Sequence, residues 1–322
     1  MSLPSVDRDD PARKPSLPEK EDMYYAEPIY RPPSEATSLL VQATVGCSSA
    51  AQGHCYFCGS WLLDRTVPEK RFRVRPVREI VSDLEEAART LGKRLKRIFF
   101  LDSNALAMGT RALIQITEKA YALFPRLERV SVYACASDIL RKSPEDLQRI
   151  RQAGLRLLYL GLESGSDRVL GLHNKGVTAQ EALDAGTRAM EAGFDLSVTV
   201  ILGLGGRAWS REHAVETGRV VSQMAPTYLG ALTLMVVPGT PVEEWISQGL
   251  FEPLSQDEIL DELEILLEHI DVSRKVVFRT NHASNYLPLG GDLPQDKTRL
   301  LALIRRAKER KVPLRPEFLR GL

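Results

Sequence analysis

Three of the four cysteines of this 322-residue chain lie within twelve positions of one another, as Cys47, Cys55 and Cys58. Metal binding is the first interpretation of cysteines spaced this closely, because a disulfide between two of them would leave the third thiol unpaired. A structural zinc site would need a fourth ligand, and His54 could supply it. Three thiolates that leave one metal position open fit instead a 4Fe-4S cluster with one differentiated iron. The cysteines alone leave both interpretations open.

Composition and charge narrow the class of protein. The chain is 43% hydrophobic and 26% charged, which is ordinary for a globular protein that buries a core. Its formal net charge of +1 provides no general attraction to nucleic acid or to a membrane. We expect a cytoplasmic protein with reduced thiols, since no apolar run reaches the length of a membrane span and no signal region is seen. The remaining cysteine, Cys135, is predicted to be an inert filler of the core.

Strand and helix patterns alternate through most of the chain. Apolar, β-branched runs predict six strands, at residues 38–45, 97–101, 130–136, 157–162, 196–202 and 229–237. A segment of helical period follows each strand, and N-terminal helix signals stand at Ser143-Pro144, Thr178, Thr240-Pro241 and Ser255. Six such units predict parallel strands with right-handed crossovers, a pattern that both an open doubly wound sheet and a partial barrel satisfy.

The aromatic residues between the last two cysteines carry a resemblance to a known family. The stretch Cys55-Tyr56-Phe57-Cys58 is similar to the cluster loop of the radical S-adenosylmethionine (radical SAM) superfamily, in which an aromatic residue stands where Phe57 stands here. That family spaces its cysteines as Cys-x3-Cys-x2-Cys, so the first gap, Ser48 to His54, is longer in this chain. The longer gap is compatible with a cluster because added loop length costs little free energy.

Later segments extend the resemblance at the ends of predicted strands. The sequence IFFLDSNA, from Ile98 to Ala105, occupies the position of a second-strand motif that binds the amino group of SAM. Here Asp102, Ser103 and Asn104 stand in place of the glycine and glutamate of many family members. The resemblance therefore implies that these three residues bind the cofactor.

Two further motifs follow the fourth and fifth strands. Leu160–Gly165 is similar to the fourth-strand end of oxygen-independent coproporphyrinogen oxidases and elongator-like proteins. Val200–Gly206 resembles the fifth-strand motif that packs against adenine, where a glycine such as Gly203 lets the backbone come close. The resemblance implies an α/β fold, a six-stranded partial (β/α)6 TIM-like barrel with an N-terminal extension and a C-terminal helical extension.

Strand alternation separates the side chains that face the barrel interior from those that face the helices. It predicts that Ser131, Tyr133, Cys135 and Ser137 point inward on the third strand, and that Glu163 does so on the fourth. Ser137 is a binding candidate because it lies at the strand end. Glu163 is predicted to be functional because an unpaired buried carboxylate is costly.

Several basic residues at predicted strand ends could hold the carboxylate of SAM. They are Arg141, Lys142, His173, Lys175 and Arg207. We expect Lys175 to be the one that does so, because it lies just beyond the loop that follows Glu163. Each of the others is more simply explained as a solvated loop charge.

The composition of the chain predicts three regions. Residues 1–22 are predicted to be a disordered tail, residues 23–240 the barrel core and residues 241–322 an extension that covers the barrel. The segments Tyr24–Pro33 and Asn281–Tyr286 are expected to pack on the open barrel, because exposed strand edges are normally covered.

The resemblance implies a specific chemistry. Cys47, Cys55 and Cys58 would bind a 4Fe-4S cluster whose open iron is chelated by SAM, and a flavodoxin- or ferredoxin-like donor would supply one electron at low potential. The 5′-deoxyadenosyl radical formed would abstract hydrogen from a substrate that the sequence does not identify. The alternatives are a zinc-binding, non-enzymatic module that contacts RNA or protein, and a (β/α) lyase with a structural metal. The neutral charge and the lack of an aromatic–basic stripe argue against nucleic acid.

Overall fold

An eight-stranded sheet organises the computed structural model, which describes residues 23–91 and 94–321. The strands are β1 (Leu39–Gln42), β2 (Thr44–Val45), β3 (Arg73–Val74), β4 (Arg97–Leu101), β5 (Arg129–Ala134), β6 (Leu155–Glu163), β7 (Asp195–Leu202), β8 (Tyr228–Thr233), β9 (Val276–Arg279) and β10 (Gly290–Leu293). The helices are α1 (Ser48–Ala51), α2 (Gly59–Thr66), α3 (Val77–Leu91), α4 (Thr110–Leu123), α5 (Ala136–Leu140), α6 (Pro144–Gln152), α7 (Asp167–Leu172), α8 (Ala179–Glu191), α9 (Gly206–Met224), α10 (Pro241–Ser247), α11 (Gln256–His269) and α12 (Lys297–Lys308). The predicted disordered tail, residues 1–22, lies outside the described residues.

The strand order confirms the predicted partial barrel. It runs β1-β4-β5-β6-β7-β8-β9-β10, with parallel pairs from β1 through β9 and an antiparallel pair between β9 and β10. Strands β2 and β3 form a separate antiparallel ribbon. Within the described residues, β1 and β10 are the two edges of the sheet, so the barrel is open.

Some predicted strand boundaries were wrong. The first predicted strand is split into β1 and β2 at Ala43, whose amide donates to the carbonyl of Leu101. The third ends at Ala134, because Cys135 begins α5 through a capping box with Asp138. The sixth ends at Thr233, four residues earlier than predicted. The C-terminal extension also contributes β9 and β10 to the sheet, in addition to its helices.

Helices begin at all four predicted starts, and three of the starts have side-chain caps, whereas Thr240 before α10 has none. Ser143 accepts from the amide of Asp146, and Thr178 and Ser255 each form a capping box. Each cap stabilises its helix by about 1 kcal/mol. Among the described residues, every helix is too short or too polar to cross a bilayer.

The alternation of side chains along the strands is also confirmed. Val132 and Leu160 belong to the main core between sheet and helices, whereas Phe99 and Tyr159 form a second, interior cluster. Tyr133 packs edge-on against both interior rings, with centroid distances of 5.0 and 5.8 Å. The barrel interior is therefore filled by the protein's own aromatic side chains at this level.

A buried carboxylate lies deeper in the interior, and sequence reasoning missed it. Glu35, on a short 3-10 turn that precedes β1, is fully buried and accepts hydrogen bonds from Arg129, Ser131 and Tyr159 at 2.7, 3.0 and 2.6 Å. Because all three donors lie on β5 and β6, Glu35 ties the N-terminal segment to the middle of the sheet. Its charge is compensated by Arg129, as a buried carboxylate requires.

The segment that precedes this turn packs on the edge strand, as expected. The hydroxyl of Tyr25 donates to the carbonyl of Leu40 at 2.7 Å, and the amide of Ala26 donates to the side chain of Gln42 at 2.7 Å. Both partners lie on β1, so this segment covers the open edge of the sheet.

Candidate functional site

The cysteine loop begins where β2 ends. Cys47 and Cys58 have extended backbones and are the N-caps of α1 and α2. Gly46 has φ +68°, and a Cβ on it would lie 2.2 Å from the carbonyl oxygen of Lys70, so only glycine fits before Cys47.

The long gap between the first two cysteines has a structural explanation. Part of it folds as α1, and the end of the gap docks on the loop between α7 and α8. The amides of Cys55 and Tyr56 donate to the carbonyls of Asn174 and His173, at 3.0 and 3.1 Å. The Asn174 side chain donates back to the carbonyl of Gly53 at 2.9 Å. The added residues therefore anchor the cysteine loop to a second loop of the barrel.

His54 belongs to this docking contact. A Cβ on Gly176 would lie 2.2 Å from the His54 ring, so the ring lies directly on that glycine. Burial lowers the pKa of His54, and Lys175 lowers it further. This packing gives His54 a structural role in holding the loop.

The same docking brings Lys175 to the cysteines. Its Nζ lies 3.0 Å from Glu163 Oε1, and the two side chains are only 14% and 12% exposed. Burial lowers the pKa of Lys175, but Glu163 first, and Cys55 and Cys135 when ionised, raise it by more. Lys175 is therefore a charged ammonium among thiols and one carboxylate.

Backbone geometry at the end of β6 places the carboxylate. Glu163 has φ +64° at an irregularity in the pairing with β7. A Cβ on Gly161 would lie 2.0 Å from Glu163 Oε1 and 3.3 Å from Lys175 Nζ, so glycine at this position makes room for the ion pair. The inward prediction for Glu163 agrees with this placement.

Cys135 borders the cysteine loop, which sequence reasoning did not detect. Ser49 Oγ, within the loop, donates to Cys135 Sγ at 3.4 Å. The pKa of Cys135 is raised well above its usual range, first by a hydrogen bond with Cys47 and then by burial. Burial also raises the pKa of Cys55 to about 12, although Lys175 opposes the shift. All four thiols of the chain therefore share one neighbourhood.

A polar crevice opens on the other side of the loop. Its cavity volume is only about 10 Å³, and it is lined by Tyr30, Gly46, Ser60, Leu63, Lys70, Asp102 and Ser103. Asp102 Oδ2 lies 3.3 Å from the buried ammonium of Lys70, which also donates to the carbonyls of Ala26 and Pro28. Burial raises the pKa of Asp102, and Lys70 opposes that shift. Sequence reasoning named Asp102 and Ser103 but missed Lys70.

Three further predicted site residues are Asn104, Ser137 and Phe57. The Asn104 side chain accepts from the amide of Ser48 and donates to Ser48 and Asp138, so it joins α1 to α5. Ser137 does not lie on β5, because that strand has ended; it stands instead in the first turn of α5. Phe57 packs edge-on against His173, with a centroid distance of 5.5 Å.

Three of the predicted basic residues are engaged elsewhere. Arg141 pairs with Asp138, Lys142 donates to the carbonyl of Met108, and exposed Arg207 pairs with glutamates of the C-terminal extension. His173 is buried, its Nε2 lies 2.7 Å from the carbonyl oxygen of Leu204, and burial lowers its pKa to about 4. Of the predicted set, Lys175 is the residue that the fold brings to both Glu163 and the cysteines.

The turn after β7 is held from behind by the C-terminal extension. Gly203 has φ +81°, and its amide donates to Glu262 Oε1 on α11 at 2.6 Å. Burial raises the pKa of Glu262 to about 7. His213 Nε2 lies 3.6 Å from this carboxyl, but burial lowers the His213 pKa to about 4 and its Nε2 donates to the carbonyl of Ile201. The contact is therefore not an ion pair near neutral pH.

The donor set fits an iron–sulfur cluster by its chemistry. Among the described residues, no three His, Cys, Asp or Glu side chains stand close enough to hold a single metal ion. A zinc site would gather its sulfurs within about 2.3 Å of one ion, whereas a four-iron cluster spreads its thiolates over separate iron atoms. Three thiols on one loop would ligate three irons of such a cluster and leave the fourth iron open.

The fold and the loop together define an α/β partial-barrel protein with three cysteines after its first strand. The profile described as "Radical SAM superfamily" matches residues 41–218, more than half of the chain, and the chain belongs to that superfamily. Members of this superfamily use a 4Fe-4S cluster and S-adenosylmethionine.

Individual relatives are distant. The chain is 23% identical over 235 residues to an uncharacterized protein of Methanocaldococcus jannaschii, covering 72% of this chain and 71% of that protein. It is 24% identical over 266 residues to the tRNA-2-methylthio-N(6)-dimethylallyladenosine synthase of Hahella chejuensis, covering 77% and 54%. Coproporphyrinogen III oxidase from Escherichia coli shares the fold with a TM-score of 0.52 at 18% identity, covering 72% and 51%. The chain thus spans about half the length of the last two proteins.

Proposed function

We propose that this protein is a radical SAM enzyme in which Cys47, Cys55 and Cys58 ligate a 4Fe-4S cluster. The observation that carries the proposal is the meeting of the cysteine loop with the Lys175–Glu163 pair, together with membership in the superfamily. When bound and given one electron by an external donor, the cluster and SAM would yield methionine and a 5′-deoxyadenosyl radical that abstracts hydrogen from the substrate. The residues of the chain are proposed to ligate the cluster, orient SAM and shield the radical from water.

Lys175 and Glu163 are proposed to bind the charged and polar groups of SAM. The carboxylate of SAM needs a cationic partner, and Lys175 presents an ammonium that is buried beside Cys55. Glu163 orients that ammonium and offers its second carboxylate oxygen to hydroxyl or amino groups of SAM. Charge-assisted hydrogen bonds of this kind are about twice as strong as neutral ones.

The crevice next to the loop is the proposed place for the amino group of SAM. Asp102 is an acceptor there, and Lys70 fixes its orientation. Ser103 and Asn104 complete the predicted set, with Asn104 acting through α1 and α5. Ser137 joins this set only as a residue of the first turn of α5.

The adenine of SAM is proposed to lie near Phe57 and the turn at Gly203. The C-terminal extension, residues 241–322, supports that turn through Glu262. Radical chemistry requires that water and stray hydrogen donors be excluded, and the interior aromatic cluster and the Glu35 turn close the barrel below the site.

Metal identity after anaerobic reconstitution tests the proposal. The protein is incubated with iron and sulfide, or with zinc, and its bound metal is quantified. We expect a brown protein with about four iron atoms per chain, as three thiolates and one open position predict. The Cys58→Ala variant, treated identically, is the matched control. A colourless protein that takes up one zinc per chain in preference to iron would support the alternative, a zinc-binding interaction module, and contradict the proposal.

A further inference from the structure

A dense run of basic residues follows the cluster loop directly. Residues 65–78 contain six basic residues and one acidic residue, in a chain whose net charge is only +1. Lys70 and Arg75 are buried in ion pairs with Asp102 and Asp83. The other four are exposed, and we call them the arginine patch: Arg65, Arg71, Arg73 and Arg78.

The arginine patch keeps its charge available. In the parts of the chain that the structure describes, none of its four guanidinium groups forms an ion pair with a carboxylate. Several exposed arginines elsewhere, such as Arg149, Arg219 and Arg305, are neutralised by acidic neighbours. In this stretch, by contrast, four unpaired arginines lie within fourteen positions, which concentrates positive charge here.

Arg65, Arg71 and Arg73 of the arginine patch lie beside the cysteine loop, and Arg78 stands in the first turn of α3. Arg65 donates to the carbonyl of Ala50 in α1, at 3.5 Å. Arg73 lies on β3, where it pairs with Val45, two residues before Cys47. The chain on either side of Arg71 packs against Gly46, since a Cβ there would lie 2.2 Å from Lys70 O and 3.1 Å from Phe72 N.

We propose that the arginine patch is the docking surface for an acidic electron-donor protein that carries a low-potential, one-electron cofactor. The inference rests on the proposed function, which requires an electron from outside the chain. Electron transfer slows steeply with distance, so a donor must dock where the cysteines are nearest to the surface. Such encounters use small, transient interfaces, in which charge complementarity sets the association rate.

A charge reversal tests the docking surface. Neither Arg71 nor Arg78 makes a side-chain hydrogen bond to a described residue, so Arg71→Glu/Arg78→Glu should fold normally. The matched control is Arg126→Glu/Arg156→Glu, which reverses two exposed arginines beside the opposite, N-terminal ends of β5 and β6. The rate of cluster reduction by a bacterial flavodoxin hydroquinone is followed by stopped flow at several salt concentrations.

We expect the patch variant to be reduced at least about tenfold more slowly than wild type at low salt. The difference should vanish near 1 M salt, where the Debye length is about 3 Å. Reduction by a small neutral photoreductant, a deazaflavin, should be equal in all three proteins, and the control variant should behave as wild type. An unchanged flavodoxin rate and salt dependence in the patch variant would overturn the proposal.

A binding measurement separates this proposal from the proposed function. Calorimetric titration of oxidised flavodoxin into the protein does not need the cluster. If the wild-type protein takes up no iron on reconstitution, the proposed function is refuted, but the titration still tests the docking surface. Loss of flavodoxin binding in the patch variant alone supports docking. If the patch variant instead loses binding to bulk tRNA and keeps its affinity for flavodoxin, the surface belongs to nucleic acid and the proposal is overturned.

Discussion

Lys175 Nζ lies 3.0 Å from Glu163 Oε1, and the pair joins the end of β6 to the loop on which the cysteine loop docks. The two residues are twelve positions apart in sequence, yet each depends on a distinct backbone feature: φ +64° at Glu163 and the αL turn at Asn174. Because both are largely buried, their charges are stable only together. The pair therefore links the end of β6 to the loop that holds the cysteines, where SAM and the cluster are proposed to bind.

Replacing Glu163 with Gln should weaken SAM binding without loss of the cluster. The substitution removes a charge but preserves shape, and a charged hydrogen bond is worth about 1.5–3 kcal/mol, or roughly tenfold to a hundredfold in affinity. Equilibrium dialysis against SAM measures the effect in the reconstituted protein. The double variant Glu163→Gln/Lys175→Met should lose less SAM-binding free energy than the sum of the losses in the two single variants, because the two residues interact. Unaltered SAM affinity in Glu163→Gln would show that the assigned role is wrong.

Alanine at Cys47, Cys55 or Cys58 should abolish cluster assembly. Cys135→Ala is the matched control, because this thiol is a neighbour that we do not assign as a ligand, and its iron and sulfide content should equal that of wild type. His54→Ala should also keep the cluster, since His54 packs on Gly176. Iron and sulfide assays after anaerobic reconstitution measure all five variants. Loss of iron in Cys135→Ala would overturn the ligand assignment.

The stability of the protein should carry a pH dependence due to Glu262. Burial raises its pKa from the usual 4.5 to about 7, so the folded protein holds this proton more tightly than the unfolded chain. The contribution of this bound proton to the free energy of unfolding is fully present below about pH 4.5. It is lost as pH rises through about 7, a decrease of about 3 kcal/mol. Denaturant unfolding from pH 5 to pH 8 should show this loss in wild type and not in Glu262→Gln. Parallel pH profiles for the two proteins would contradict the prediction.

Removal of residues 1–22 should leave stability unchanged, whereas removal of residues 1–34 should lower it. The longer truncation takes away the carbonyls of Ala26 and Pro28, which accept from the buried ammonium of Lys70. Losing two of the three hydrogen bonds of this buried ammonium costs about 3 kcal/mol, and β1 loses its edge cover as well. Thermal unfolding of the two truncated proteins measures the difference, and equal melting temperatures would refute the account.

The sequence predicts the strands well because their burial is periodic. The six parallel strands, the capping boxes at Thr178 and Ser255 and the inward position of Glu163 all follow from local pattern. The third predicted strand extends past Ala134 because the apolar alternation continues through Ala136. The acidic residue three positions after Cys135 is a helix-start signal that the prediction did not use.

The support of the site could not be predicted, because it depends on contacts between distant parts of the chain. Glu35, Lys70 and Glu262 stand in ordinary polar sequence, and only the fold brings them to Tyr159, Asp102 and Gly203. The proximity of Cys135 to the cysteine loop was missed for the same reason, since 77 positions separate it from Cys58. Local sequence carries no signal for such pairs.

Release of 5′-deoxyadenosine tests the central claim most directly. The anaerobically reconstituted protein is reduced with dithionite in the presence of SAM, and the products are quantified by chromatography against the Cys58→Ala variant. The account predicts that wild type releases methionine and 5′-deoxyadenosine in equal amounts and that the variant releases neither. A wild-type protein that binds iron but leaves SAM intact under these conditions would contradict it.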